Sequence, residues 1–183
     1  MKTILAFDTA TSFGAVCGTA SGRARRAQAG DLLAAIDELI GDPAEIERIV
    51  AGRGPGSFTS IRIGLAMARS LGFSLGVEVA GASTLDGYTG ATPVIDARRG
   101  EVFTTGPRVC APSELEVRGK VLVGDGALRY RDVFEELGAT VPPDDDLVHL
   151  PDPSLLAAHA GPFGDPERVL PLYVREPDAR PQA

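Results

Sequence analysis

The sequence predicts an α/β protein with two lobes, each built on a mixed sheet. Three observations lead to this fold class: strand-like and helix-like segments alternate through the first half, a hairpin pattern opens the chain, and a second hairpin pattern begins at residue 93. Hairpins require antiparallel strands beside the parallel ones that alternation favours. We assign residues 1–92 to the first lobe, completed by residues 153–183, and residues 93–152 to a second, smaller lobe.

The predicted strands of the first lobe are short apolar, β-prone runs between turn signals. They cover residues 3–7, 15–19, 49–51 and 77–80. The first two flank a polar turn, so they are expected to form the opening hairpin.

Helical spacing of apolar residues predicts the helices of the first lobe at residues 32–40, 59–72 and 83–88. Asp31 is a candidate N-cap of the first helix, and Gly41 ends it. A Gly-Pro-Gly turn at residues 54–56 leads into the second helix, which either Ser57 or Thr59 can cap.

The second lobe starts with strands at residues 94–97 and 101–104 around a glycine-containing turn. A strand at residues 120–123 is followed by Gly124, Asp125 and Gly126. This triplet is the candidate for a second phosphate loop, although such a sequence is more often an ordinary turn. The remaining predicted elements are a helix at residues 127–137, a loop at 142–146 and a helix at 154–159.

The composition is that of a globular protein. The chain has 183 residues, 44% of them apolar, and its formal net charge of −7 would be repelled by a phosphate backbone. No run approaches the roughly 18 consecutive apolar residues that span a bilayer, and the first residues lack the apolar core of a secretory signal. Cys17 and Cys110 form no CxxC pair, which favours reduced thiols and a cytoplasmic location.

A polar corner follows the first predicted strand. Asp8, Thr9 and Thr11 lie there, and the glycine-rich turn adds Gly56 and Ser57. A carboxylate and hydroxyls can hold a metal-bound phosphate, and a helix N-terminus offers N–H groups to an anion. These five residues are the candidate phosphate site, placed as in actin-like ATPases and sugar kinases. The same residue types also make ordinary turns.

The second helix has an apolar arc wider than one sheet can cover. At roughly 100° per residue, small and apolar side chains fill an arc of about 200°. The arc comprises Ile61, Ile63, Gly64, Leu65, Met67, Ala68 and Leu71. Part of it is expected to pack on its own lobe and part on another helix. The alternative is a helix enclosed entirely within one monomer.

Five segments resemble the TsaB (YeaZ) family and occur in the order of that family. They are LAFDTAT at residues 5–11, GRGPGSFTSIRIGLAMARSL at 52–71, GASTLDGY at 81–88, IDARRGEVF at 95–103 and LPLYVREPDA at 170–179. The resemblance spans nearly the whole chain. It implies the actin-like ATPase fold (ASKHA, ribonuclease H-like), with a reduced second lobe.

The resemblance further implies a scaffold rather than an enzyme. In this family the subunit binds and stabilises its paralogue TsaD, which uses a metal held by paired histidines to transfer a threonylcarbamoyl group to the adenosine beside the anticodon of tRNA. The ATPase TsaE joins the pair. We expect no cofactor of the chain's own, ATP or ADP only at the interface of the complex, tRNA reached only through the complex, no membrane partner, and a homodimer in isolation.

The predicted interface with TsaD, or with a second copy, combines the two long helices. It comprises Leu32, Leu33, Ile36, Ile61, Arg62, Gly64, Leu65, Ala68, Arg69 and Leu71. No catalytic or metal-binding residue is predicted. His149 and His159 are ten apart and lack the spacing of a helical metal pair, so both are expected to be surface or loop residues.

Two alternatives to the scaffold remain open. An ATPase or phosphotransferase of the same fold would act alone through Asp8, Thr9 and Thr11, and a peptidase has the weakest support from the residues. The chain also departs from the family pattern. Gln28 to Asp31 replace a histidine and polar pair before the first helix, and the segment 108–118 is short.

Overall fold

The computed structural model describes residues 3–175, and its first sheet is mixed, as predicted. Its strands are β1 (Thr3–Asp8), β2 (Ala15–Thr19), β3 (Ala24–Ala27), β4 (Ile46–Gly52) and β5 (Glu78–Ala82), in the order β3-β2-β1-β4-β5. β1 pairs antiparallel with β2 and parallel with β4. The opening hairpin and the later crossovers therefore share one sheet.

Helices α1 (Leu32–Ile40) and α2 (Phe58–Leu75) cover one face of this sheet. Strand residues such as Phe7 and Ile49 alternate toward them and are fully buried. At the C-terminal end of α2, Gly76 adopts a left-handed φ of 65°. The main core of the protein thus lies between the first sheet and these two helices.

The second sheet repeats the hairpin start with fewer residues. Its strands are β6 (Thr92–Arg98), β7 (Glu101–Thr104), β8 (Arg108–Cys110) and β9 (Leu122–Val123), in the order β8-β7-β6-β9. β6 is antiparallel to β7 and parallel to β9. Two short helices, α3 (Asp125–Arg129) and α4 (Arg131–Glu136), follow β9.

The chain then returns to the first sheet. Helix α5 (Pro153–Ala158) packs on the face opposite α1 and α2, where Leu156 contacts a cluster with Ala6 and Val50. Further on, Leu172 N donates a hydrogen bond to Arg53 O at 2.7 Å. Residues 176–183, which the prediction assigned to the first lobe, lie outside the described residues, as do residues 1 and 2.

Several local predictions were wrong. Strands β3 and β8 were not predicted. Both lie at sheet edges; β3 has exposed polar side chains, and β8 has three residues, too few for an apolar alternation. Gly72 does not end α2: the Cβ that it lacks would stand 2.5 Å from Val79 Cγ2, so this glycine lets the helix lie close to β5. The single helix predicted at 127–137 is split at Tyr130, and Asp31 makes no side-chain cap.

Among the described helices, none has both the length and the hydrophobicity that crossing a bilayer would require.

Candidate functional site at the junction of the lobes

Asp8, at the end of β1, is buried and fully engaged by its own lobe. Its Oδ2 accepts a hydrogen bond from Thr84 Oγ1 at 2.6 Å, and its Oδ1 accepts one from Ala10 N at 2.7 Å. A Cβ on Gly52 would stand 1.8 Å from Oδ2, so only glycine leaves room for this carboxylate. Desolvation raises the pKa of Asp8, and the two hydrogen bonds lower it in part.

The two threonines of the corner are buried as well. Thr9 Oγ1 donates to Ser60 O in the first turn of α2 at 2.7 Å. A Cβ added to Gly64, one turn further along α2, would stand 2.4 Å from Thr9 Oγ1. Gly64 was predicted to be part of the interface with another helix. It instead allows α2 to approach the β1–β2 turn of its own lobe.

The glycine-rich turn closes the corner from the other side. Ser57 N donates to Ala10 O at 2.8 Å, and a Cβ on Gly56 would stand 2.3 Å from that oxygen. Ser57 is the N-cap of α2, with its hydroxyl accepting a hydrogen bond from Ser60 N at 3.4 Å. The space between the two turns is therefore occupied by the protein's own backbone.

The second lobe contributes Asp125, which joins the two lobes. Its Oδ2 accepts a hydrogen bond from Ser12 N of the first lobe at 2.7 Å, and its Oδ1 accepts one from Asp96 N of the second at 3.0 Å. Burial raises the pKa of Asp125. No local pattern predicts this contact, because Ser12 and Asp125 are 113 residues apart.

These contacts decide what the predicted phosphate site can hold. The carboxylates of Asp8 and Asp125 are satisfied internally, and the two candidate phosphate loops are hydrogen-bonded to each other. A magnesium-bound nucleotide needs open oxygen ligands and room for its phosphates. Asp8 and Thr9 are engaged within their own lobe in this arrangement, whereas Gly56 and Ser57 line an open cavity, so phosphate binding by the five residues stays a prediction.

His149, predicted to be a surface or loop residue, lies in the short 3₁₀ turn Leu147–His149 but is a buried structural residue of this junction. It is buried, its Nδ1 accepts a hydrogen bond from Gly124 N at 3.2 Å, and its Nε2 lies 3.2 Å from Pro142 O. The tautomer protonated at Nε2 accounts for both contacts. His149 thereby fixes the turn that carries Asp125. His159 is exposed, as predicted.

Most residues of the predicted partner interface serve the core of their own lobe. Those that are buried there are Leu32, Ile36, Ile61, Gly64, Leu65 and Ala68. Leu71 is half-buried against the same core. They cannot form a partner surface without unfolding the lobe, because the first sheet and the C-terminal segment around Val169 cover more of α2 than predicted.

A narrower part of the two helices remains exposed. On α2 the exposed side chains recur at helical spacing and form what we term the α2 stripe: Thr59, Arg62, Ile63, Ala66, Ser70 and Phe73. Ile63 is 43% exposed and Phe73 75%, while Leu33 on α1 is 52% exposed. Arg69 is half-buried and donates a hydrogen bond to Val169 O. Of the predicted interface, Leu33 and Arg62 are accessible.

A family model and a solved structure identify the class of proteins to which this chain belongs. The family model of TsaD, described as tRNA N6-adenosine threonylcarbamoyltransferase, matches residues 9–111. A structure described as YeaZ from Pseudomonas aeruginosa superposes with a TM-score of 0.74 at 25% identity, covering 94% of this chain and 100% of that one. The chain thus has the actin-like (ASKHA) fold of the TsaD-like proteins.

Relatives refine this class. A protein of Mycobacterium tuberculosis described as uncharacterized is 34% identical over 167 residues, covering 84% of this chain and 75% of the relative. The tRNA threonylcarbamoyladenosine biosynthesis protein TsaB of Bacillus subtilis is 34% identical over 82 residues, covering 38% of this chain and 36% of that protein. The chain belongs to the TsaB (YeaZ) family.

Proposed function

We propose that this chain is a non-catalytic scaffold subunit for synthesis of N6-threonylcarbamoyladenosine in tRNA, which binds and stabilises a catalytic TsaD-like paralogue together with a TsaE-like ATPase. Relatives named as threonylcarbamoyladenosine biosynthesis proteins support the pathway. The observation that favours a scaffold is the closed corner: Asp125 accepts a hydrogen bond from Ser12 N where a nucleotide-using enzyme of this fold needs space.

The surface that we assign to the TsaD-like partner is the α2 stripe with Leu33. Large apolar side chains such as Phe73 and Ile63 recur there beside Arg62. Burying these side chains against a second helix would release water from apolar surface, which is the main driving force of most protein association. In isolation, the same stripe pairs with a second copy of the chain.

Nucleotide and tRNA belong to the complex in this proposal. The chain has no cofactor of its own, and ATP or ADP binds only at the interface with the TsaD-like partner. Its formal net charge of −7 disfavours direct contact with tRNA, so RNA is reached through the partner, in the cytoplasm.

Co-purification with the TsaD-like subunit of the same genome tests the proposal. The variant combines Ile63→Glu with Ala66→Glu, two exposed positions of the α2 stripe. The matched control is Val133→Glu, an exposed helical position on α4 in the second lobe. We expect all proteins to fold, the control to bind, and the double variant to lose the partner and tRNA modification. Full binding by the double variant would contradict the assigned surface.

Titration with ATP and magnesium separates the scaffold from the enzyme. We expect no stoichiometric binding to the subunit alone and binding when the TsaD-like partner is present. Tight binding by the subunit alone, or RNA modification without the partner, would favour an enzyme and overturn the proposal.

A further inference from the structure

Arg62 lies on the α2 stripe between two depressions of the protein surface. One depression, of about 300 Å³, lies over the first turns of α2, and the other, of about 370 Å³, lies between α2 and the C-terminal segment. Arg62 and Ala66 line both of them. The further lining residues are Phe58, Thr59 and Ile63 in the first depression, and Leu65, Arg69, Pro171 and Tyr173 in the second. A partner helix that packs along the α2 stripe therefore covers the guanidinium of Arg62.

The charge of α2 is entirely positive. Arg62 and Arg69 are the charged side chains of this helix, which contains no aspartate or glutamate, in a chain whose formal net charge is −7. Among the described residues, no acidic side chain lines either depression. The α2 stripe is thus a cationic surface on an acidic protein, and such a surface favours a partner of opposite charge.

The guanidinium of Arg62 is oriented by its own lobe but is not neutralised there. Its Cζ lies 5.2 Å from the centroid of the Phe58 ring, a cation–π contact. In the part of the chain that the structure describes, Arg62 forms no ion pair with a carboxylate. Its N–H groups therefore stay available for an acceptor on a partner.

Arg69 adds positive charge to the second depression. Its Nη2 donates a hydrogen bond to Val169 O, which holds the side chain between α2 and the C-terminal segment. Its Nε is buried and has no hydrogen-bond partner among the described residues. Because Arg62 and Arg69 are two helical turns apart, about 10 Å along the axis, their charges add at the depression that both line.

Covering Arg62 with a purely apolar helix would oppose association. A guanidinium that loses its hydration needs an acceptor in return, and an unpaired buried charge is costly. A second copy that packs its own α2 on this helix brings two more arginines and no carboxylate. The α2 stripe therefore disfavours that arrangement and favours a helix that carries an acidic side chain.

We propose that the helix of the TsaD-like partner that packs on the α2 stripe carries an aspartate or glutamate whose carboxylate pairs with Arg62 beside Ala66. This inference rests on the proposed function and adds the chemistry by which α2 distinguishes that partner from a second copy. Arginine is suited to the role, because its planar guanidinium can bind a carboxylate with two parallel hydrogen bonds. The apolar residues of the stripe provide contact area, and Arg62 provides selectivity.

Binding titrations of the full chain with the TsaD-like subunit of the same genome, at about 50 and about 500 mM sodium chloride, test the pairing. Arg62→Gln removes the positive charge and Arg62→Lys keeps it. The matched control is Arg108→Gln, which removes an exposed positive charge from β8, outside both depressions.

We expect the affinity of the parent chain to fall as salt rises. Arg62→Gln should bind about tenfold or more weakly than the parent at low salt and respond less to salt, because the charge pair is absent. Arg62→Lys should keep the salt dependence and most of the affinity, and Arg108→Gln should bind as the parent does.

Three outcomes would overturn the inference. If Arg62→Gln binds as tightly as the parent while the Ile63→Glu, Ala66→Glu variant does not bind, the inference fails and the scaffold role stands. If Arg62→Gln weakens self-association in analytical ultracentrifugation but not binding to the TsaD-like subunit, the carboxylate belongs to a second copy instead. If the parent chain itself does not bind the TsaD-like subunit, the proposed function fails and this inference fails with it.

Discussion

Replacing each buried aspartate at the lobe junction by asparagine is expected to have different consequences at the two positions. Asp8 accepts one hydrogen bond from a hydroxyl, Thr84 Oγ1, and one from a backbone amide. The side-chain oxygen of asparagine can accept the hydrogen bond from Ala10 N. Its NH₂ group can donate a hydrogen bond to Thr84 Oγ1, because a hydroxyl can also accept. Asp8→Asn also removes a buried negative charge, so little stability is lost.

At Asp125, a donated hydrogen bond from asparagine cannot replace an accepted one in this way. Its two backbone partners, Ser12 N and Asp96 N, are donors that cannot accept a hydrogen bond, and the Ser12 side chain is a third partner. In Asp125→Asn, the new NH₂ group must face one of these N–H groups, so that one backbone donor at the junction loses its acceptor. Such a loss costs about 1–3 kcal/mol. We therefore expect Asp125→Asn to be less stable than Asp8→Asn by about that amount at neutral pH.

Urea and thermal unfolding of the two variants and the parent chain, followed by circular dichroism, measure this difference. For a domain of this size, 1 kcal/mol corresponds to roughly 2–4 °C in Tm, so the variants should differ by about 2–12 °C. Equal stability of the two variants, or a more stable Asp125→Asn, would refute the assignment of Asp125 as a double acceptor between the lobes.

The pH dependence provides an independent check. Burial raises the pKa of Asp8 above 3.8, so the folded state holds its proton more firmly than the unfolded state does. The stability from this group is present below pH 3.8 and is lost as pH rises through the folded pKa. Asparagine does not titrate, so the Asp8→Asn variant does not lose this stability as the pH rises. Its stability relative to the parent should rise between acidic and neutral pH, whereas a constant difference would contradict the raised pKa.

Three further substitutions test other parts of the structure. Gly64→Ala places a methyl group 2.4 Å from Thr9 Oγ1, and it should lower the unfolding free energy in urea by about 1–3 kcal/mol. His149→Ala removes the acceptor of Gly124 N and should lower Tm; an unchanged Tm would contradict its structural role. Ile63→Glu should change stability by no more than about 0.5 kcal/mol, yet weaken binding to the TsaD-like partner roughly 30-fold or more in a pull-down titration.

The sequence was informative wherever local chemistry decides the structure. The β1–β2 and β6–β7 hairpins, α1 and the start of α2 were all predicted from apolar periodicity and glycine-containing turns. It failed at edge strands such as β3, whose exposed side chains have no periodic apolar pattern. β3 is a strand because its backbone pairs with the neighbouring strand β2, and that pairing is not visible in the sequence of β3 itself.

The candidate site also combines features that the sequence predicts with features that it does not. The sequence singled out Asp8, Thr9 and the turn around Gly56 as a polar corner, and these residues do lie together. Whether they face solvent or each other could not be predicted. Buried glycines bring the backbones too close for a phosphate, and Asp125 arrives from the other lobe.

The amino-acid sequence by itself determined the two-lobed α/β fold and the family, because hairpin signals, helical periodicity and ordered motifs are properties of short segments. Only the tertiary structure decided which side of α2 is free, that Asp8 and Thr9 are hydrogen-bonded within their own lobe, and that Asp125 of the second lobe contacts Ser12 of the first. Those outcomes depend on distances between residues far apart in the chain, which packing fixes and local sequence does not encode.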